Sequence, residues 1–245
     1  MQTSYARHMQ YLLRRQIIVT LFLFICISSF AQREINLPNH ELKQYYFGIT
    51  LSGNSSYFQM DHHPKFLQDD SVANVGSISK GGFGLGLLAT LRLVNHLEAR
   101  TNPQLIFATR GINYYINQPL TGDPNWQQKN IESIYISLPL QLKFSSDRID
   151  NFRVYMLGGG KYEYDLASNS QARRAEDLIK LNKSALGYEL GLGFHFYFPT
   201  FIFSPEIKFS NSLRSVHARD QHLIYSNVID RMQARMIVFS IHLEG

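Results

Sequence analysis

From residue 81 the chain reads GGFGLGLLATLRL, and bulky apolar side chains fall on alternate positions: Phe83, Leu85, Leu87, Leu91 and Leu93 interleave with Gly82, Gly84, Gly86, Thr90 and Arg92. A repeat of two belongs to a strand with two unlike faces, because a helix repeats its faces every 3.6 residues. Gly84-x-Gly86-x-x-Ala89 also matches the relaxed dinucleotide-binding fingerprint. That chemistry needs a strand ending at the first glycine, a helix opening at the third position and an acidic residue about 20 positions on. The alternation runs straight through instead, so a nucleotide loop is set aside. Gly158-Gly159-Gly160-Lys161 fails as a phosphate loop too, with Tyr155 where glycine and Tyr162 where serine or threonine would stand.

Eight segments share this period: 45–52, 82–93, 97–112, 134–144, 152–165, 186–198, 201–209 and 235–243. Most reach the length of about nine residues that a tilted strand needs to cross a bilayer. The connections alternate in length: 53–81, 113–133, 166–185 and 210–234 are long, whereas 94–96, 145–151 and 199–200 are short. An even strand count with tight turns at one end and extended loops at the other is the layout of an outer-membrane barrel. The polarity points the same way. A lipocalin-like calyx keeps its apolar set inside. Here the apolar face is long, aromatic-rich and almost free of charge, while the opposite face mixes glycine with Glu, Arg, Lys, His and Tyr. The expected fold is therefore an all-β, eight-stranded antiparallel up-and-down transmembrane β-barrel of the outer-membrane type. Phe144, Phe152, Phe196, Phe198, Phe201 and Phe203 stand beside the short turns, as an interfacial girdle should.

The start of the chain has its own character. Arg7, Arg14 and Arg15 precede an apolar run over 17–27, and Ser29-Phe30-Ala31 places small residues where a signal peptidase reads. The reading is a signal peptide over 1–31 cleaved between Ala31 and Gln32, a periplasmic N-terminal segment over 32–44 and a barrel domain over 45–245. The run is too short for a membrane helix, which needs about 20 residues. Without the leader the net charge drops from +5 to +2, so the high pI is no argument for nucleic acid. Cys26, the single cysteine, leaves with the leader, which excludes disulfides, thiolate metal sites and cysteine catalysis from the mature chain.

An eight-stranded barrel has an interior that side chains just fill. The inward face should carry Arg92, Glu98, Arg100, Lys143, Arg153, Lys161, Glu163, Glu189, His195, Glu206 and Lys208. An ion path is one reading of this set; an internal salt-bridge network that plugs the barrel is the other, and the narrow lumen favours it. Gly82, Gly84, Gly86, Gly159, Gly187, Gly191 and Gly193 would make room there for Arg92, Arg100, Arg153, Lys143 and Lys161. His62-His63 near Asp61, Asp69 and Asp70 lacks the spacing of a defined metal site. Ser210, Ser212, His217 and His222 suggest a surface Ser/His pair of the kind lipid A deacylases use, but no motif joins them. Neither an enzymatic activity nor a cofactor, a metal or a small-molecule substrate is expected. The stretch 172–181, ARRAEDLIKL, sets Arg173, Arg174, Glu176 and Asp177 beside Leu178, as a short amphipathic helix would, either a docking surface at the barrel mouth or a lid.

Three stretches, YISLPLQLKFSSDRIDNFRVYMLGGGKYEYDL (135–166), GYELGLGFHFYFPTFIFSPEIKFSN (187–211) and YSNVIDRMQARMIVFSIHLEG (225–245), resemble the PorT family of outer-membrane barrels. The resemblance runs from about Tyr45 to the C-terminus. It implies a non-enzymatic component of the type IX secretion and gliding machinery of Bacteroidota, needed for export of proteins with a C-terminal sorting domain. Membrane lipid and other secretion subunits would be its partners. A passive structural or adhesin-type barrel and a lipid-modifying enzyme are the alternatives. One departure is the ending His242-Leu243-Glu244-Gly245, where many such barrels carry a terminal aromatic; Phe239 is the residue that could take its part.

Overall fold

A computed structural model describes residues 16, 34–62, 72–116, 126–167, 181–217 and 229–245. Residues 36–245 form one compact unit and residues 1–35 another, of which only 16, 34 and 35 are described. The proposed cleavage point at Ala31 and Gln32 and the candidate docking residues Arg173, Arg174, Glu176, Asp177 and Leu178 lie outside the described residues.

The larger unit is a short 3-10 turn, Pro38–Leu42, followed by strands β1 (Tyr45–His62), β2 (Val72–Val94), β3 (Leu97–Thr101), β4 (Gln104–Ile116), β5 (Trp126–Ser145), β6 (Phe152–Asp165), β7 (Ser184–Tyr197), β8 (Ile202–Ser212) and β9 (Ile229–Glu244). Every pairing is antiparallel, and β1 pairs with both β2 and β9, so the sheet closes. Closure removes the edges that lipid could not hydrogen-bond. Among the described residues no helix is long and apolar enough to cross a membrane.

Nine strands make a ring of eight because β3 and β4 share the neighbours β2 and β5. They are one wall strand, expected as a single run over 97–112 and interrupted at Asn102-Pro103. Proline has no N–H to give to the ladder. Its carbonyl still accepts from Leu87 N–H at 3.0 Å, and Asn102 Oδ1 accepts from Thr50 Oγ1 at 3.1 Å across the lumen.

The two faces separate as the alternation requires. On β1, Tyr45, Phe47, Ile49 and Leu51 are exposed on the outside while Tyr46, Thr50 and Ser52 are buried inside. Phe144, Phe196, Phe198 and Phe201 are exposed near the short turns, and Phe198 stacks on Phe201 at 5.0 Å.

The long connections are the main correction. Much of 53–81, 113–133 and 210–234 is strand: β1 runs on to His62, β2 starts at Val72, β5 at Trp126 and β9 at Ile229. Beyond the hydrocarbon the pattern changes sense. The outward side turns polar at Gln59, Asn74, Gln128 and Asn130, while the inward side turns apolar at Phe58, Val75, Ile112 and Met232. A signature that assumes apolar outside stops at the rim, although the strand does not.

Candidate functional site

The interior begins with the strand positions facing the axis in the half nearer the short turns. Two carboxylates act as hubs. Glu98 on β3 meets Lys143 Nζ at 2.7 Å and Arg92 Nη2 at 3.2 Å, and accepts a hydrogen bond from Tyr46 OH at 2.9 Å. Lys143 Nζ also donates to Tyr46 OH at 2.7 Å. Glu206 on β8 is held two-pronged by Arg100, with Nη1 2.7 Å from Oε2 and Nη2 3.0 Å from Oε1. Tyr155 OH donates to Glu206 at 2.8 Å, and Lys208 and His242 stand at 3.5 and 3.4 Å. Glu189 accepts from Gln141 Nε2 at 2.6 Å with Lys208 Nζ 3.9 Å away, and Lys161 pairs with Glu163. Full burial of Arg100, Lys143 and Glu206 is tolerable only because each has opposite charge within reach.

Ten of the eleven interior positions named from the sequence are buried, and Arg92 is half-buried at the short-turn rim. Tyr46, Tyr155, Gln141 and His242 were not singled out. They lie on the same inward phase of the same strands, and that phase was the available signal. The glycines supply volume where the neighbouring strand carries a long side chain. A Cβ on Gly193 would run into the Tyr155 ring, and one on Gly191 would sit 2.8 Å from Lys208 Cγ. Of the side chains expected to use this room, Lys161 does so, against Gly187.

Above the charges the lumen becomes oily. Ile106, Ala108, Tyr135, Met236 and Val238 form one buried layer. Arg110 follows, its guanidinium 5.0 Å from the ring centres of both Phe58 and Tyr135 and donating to Tyr135 OH. Phe58, Val75, Ile112, Leu181, Val216 and Met232 form a second layer. An ion moving along the axis would have to shed its water against both, which disfavours conduction.

Residues 36–44 lie at the mouth on the short-turn side. Arg92 Nη1 donates to the carbonyls of Lys43 at 3.1 Å, His40 at 3.3 Å and Glu41. Further round the ring, in the turn between β5 and β6, Arg148 donates to the Asn36 carbonyl and lies 3.8 Å from the Tyr197 ring centre. Asn36 Nδ2 donates to the Tyr197 carbonyl at 2.8 Å, and Glu41 pairs with Arg153 at 2.8 Å. His40 is buried edge-on to Tyr46, with ring centres 4.7 Å apart. Burial, aided by the charges of Lys43 and Arg92, lowers its pKa to about 4.

Hydrolytic chemistry gains nothing from this arrangement. Ser212 Oγ accepts from Ala234 N–H at 2.9 Å, a backbone-capping role, and His222 lies outside the described residues. A different trio does form: Ser204 Oγ is 2.7 Å from His195 Nδ1, and Glu244 Oε1 is 3.8 Å from the same nitrogen. A triad base must address nucleophile and acid through different ring nitrogens. Here Nε2 faces Lys143 at 3.1 Å, and Ser204, His195 and Glu244 are all buried. His63 is outside the described residues, and among those described no group of three His, Cys, Asp or Glu could hold a metal ion.

The closed ring, the apolar outer belt and the charged interior together define a membrane barrel. A model of the outer membrane protein beta-barrel domain matches residues 30–218. The chain belongs to that family. Its location is the outer membrane, and it is of the small-barrel type. Similar solved structures are the outer membrane protein OprG from Pseudomonas aeruginosa (12% identity, 80% of this chain and 94% of that one, TM-score 0.45) and Neisserial surface protein A (10%, 80% and 95%, 0.42). A third is Ail, the attachment invasion locus protein of Yersinia pestis, in complex with a heparin analogue (11%, 83% and 100%, 0.39). A comparison with curated protein sequences finds no significant match.

Proposed function

We propose that this barrel is a non-enzymatic component of type IX protein secretion, required for export of proteins with C-terminal sorting domains and, through that export, for gliding. The observation that carries the reading is the resemblance of residues 135–166, 187–211 and 225–245 to the PorT family. The interior is consistent with such a role. It is filled by paired charges and two apolar layers, so a cargo protein cannot pass through it, and the barrel would act through contacts with other subunits. The ordered segment over 36–44 offers a periplasmic surface for such contacts.

The test is a clean deletion of the gene followed by fractionation. Cargo with sorting domains should accumulate in the periplasm, and crosslinked pull-down of the mature protein from envelopes should bring secretion subunits with it. Unchanged export in the deletion strain sinks the proposal.

A further inference from the structure

The outer face of β4 and β5 can be followed outward rung by rung. Leu105 pairs with Ile136 and Phe107 with Ile134, then Thr109 with Glu132, Gly111 with Asn130, Asn113 with Gln128 and Tyr115 with Trp126. The first two rungs are lipid-facing, and Phe107 stacks on Phe83 at 4.7 Å. Trp126 stands eight residues beyond Ile134, about 26 Å along the strand at roughly 3.3 Å per residue. With a tilt of about 40° that is about 20 Å above the hydrocarbon. Yet Trp126 is 59% and Tyr115 48% exposed. Paired aromatics displayed in water, well past the girdle, are not explained by lipid burial.

Their surroundings restrict what they bind. The next rungs inward are amides: Gln128 and Asn130 are exposed and joined by a 3.0 Å hydrogen bond, with Asn113 beside Gln128, and Gly111 is covered by Ile78 and Lys80 of β2. The outward residues of these four rungs carry one charge, Glu132, and the adjoining Lys80 side chain of β2 lies against Gly111, two rungs inward of the ring pair. Two ring faces beside amides that both donate and accept suit a neutral sugar, whose C–H face stacks on a π system while its hydroxyls meet the amides. The patch is continuous with the lipid-facing surface of the same two strands, so the molecules it meets first are the head groups of the surrounding leaflet. We propose that Trp126, Tyr115, Gln128 and Asn130 form a saccharide-binding platform for the uncharged sugars of outer-leaflet glycolipid.

Trp126 is the single tryptophan of the chain, so its fluorescence reads this site alone. The mature protein, held in phospholipid nanodiscs free of glycolipid, is titrated with lipid-free core oligosaccharide prepared from lipopolysaccharide. A saturable blue shift is expected. Tyr115→Ala should raise the half-saturating concentration about tenfold, equivalent to about 1.4 kcal/mol. Gln128→Ala should weaken binding as well, and Asp147→Ala, in a periplasmic turn, should leave it unchanged. Retained heat-modifiable gel mobility checks that each variant is folded. The platform is refuted by an unsaturable or absent response, by a Tyr115→Ala titration matching the wild type, or by an equal shift with glycerophosphate.

Discussion

Glu206 and Arg100 show how a buried charge is made tolerable inside a membrane barrel. Each is fully enclosed, and each is satisfied chiefly by the other. Removing one partner leaves an uncompensated ion, which typically costs about 3–5 kcal/mol, more than the pair contributes when intact. Glu206→Leu should therefore lower the midpoint of urea unfolding in lipid vesicles by that amount, and the Arg100→Met/Glu206→Leu double variant should recover much of it. An equal loss in single and double variants would contradict the account. Gly193 makes a second case: Gly193→Ala forces the Tyr155 ring aside and should cost about 1–3 kcal/mol. Adding Tyr155→Ala should relieve that clash, read as a smaller effect of the glycine change in the double variant than in the parent.

Among the elements, the segment over 36–44 makes the clearest pH prediction. His40 titrates at about 4 when docked and near 6.5 when free, so the undocked state takes up more protons between those values. Docking is unaffected above pH 6.5, weakens as pH falls toward about 4, and changes no further below it. Amide exchange over residues 36–44 should accelerate across that window, and His40→Phe should remove the dependence. A rate with the same pH dependence in both proteins, after correction for intrinsic exchange, would dismiss His40 as the cause. The paired strands β3 and β4 carry a different lesson. Pro103 interrupts the ladder without diverting the chain, because both halves keep the same neighbours in continuous register.

For the whole molecule, the two apolar layers above the charge network predict an electrically silent barrel. Protein reconstituted in planar bilayers should give no stepwise conductance at 1 M salt, and sustained channel events would show that the layers do not seal. The residues forming the upper layer were hard to single out beforehand. Phe58, Val75 and Met232 sit where the outward face has already become polar, so the rule that located the membrane segments gave them no weight.

The alternation of residues along each segment was enough to place nearly every inward and outward side chain between the rims, because a strand has only two faces and lipid tolerates one kind of surface. The positions of Glu98, Arg100, Lys143 and Glu206 followed from that phase. Their pairing did not, since an ion pair across the lumen depends on the stagger between strands far apart in the chain. The same holds for His195, whose company of Ser204, Lys143 and Glu244 comes from three other strands. The docking of 36–44 at the mouth likewise needs Arg92 and Arg148, which β2 and the β5–β6 turn bring from separate parts of the ring. Local sequence sets which way a side chain points; closure of the barrel sets what it meets.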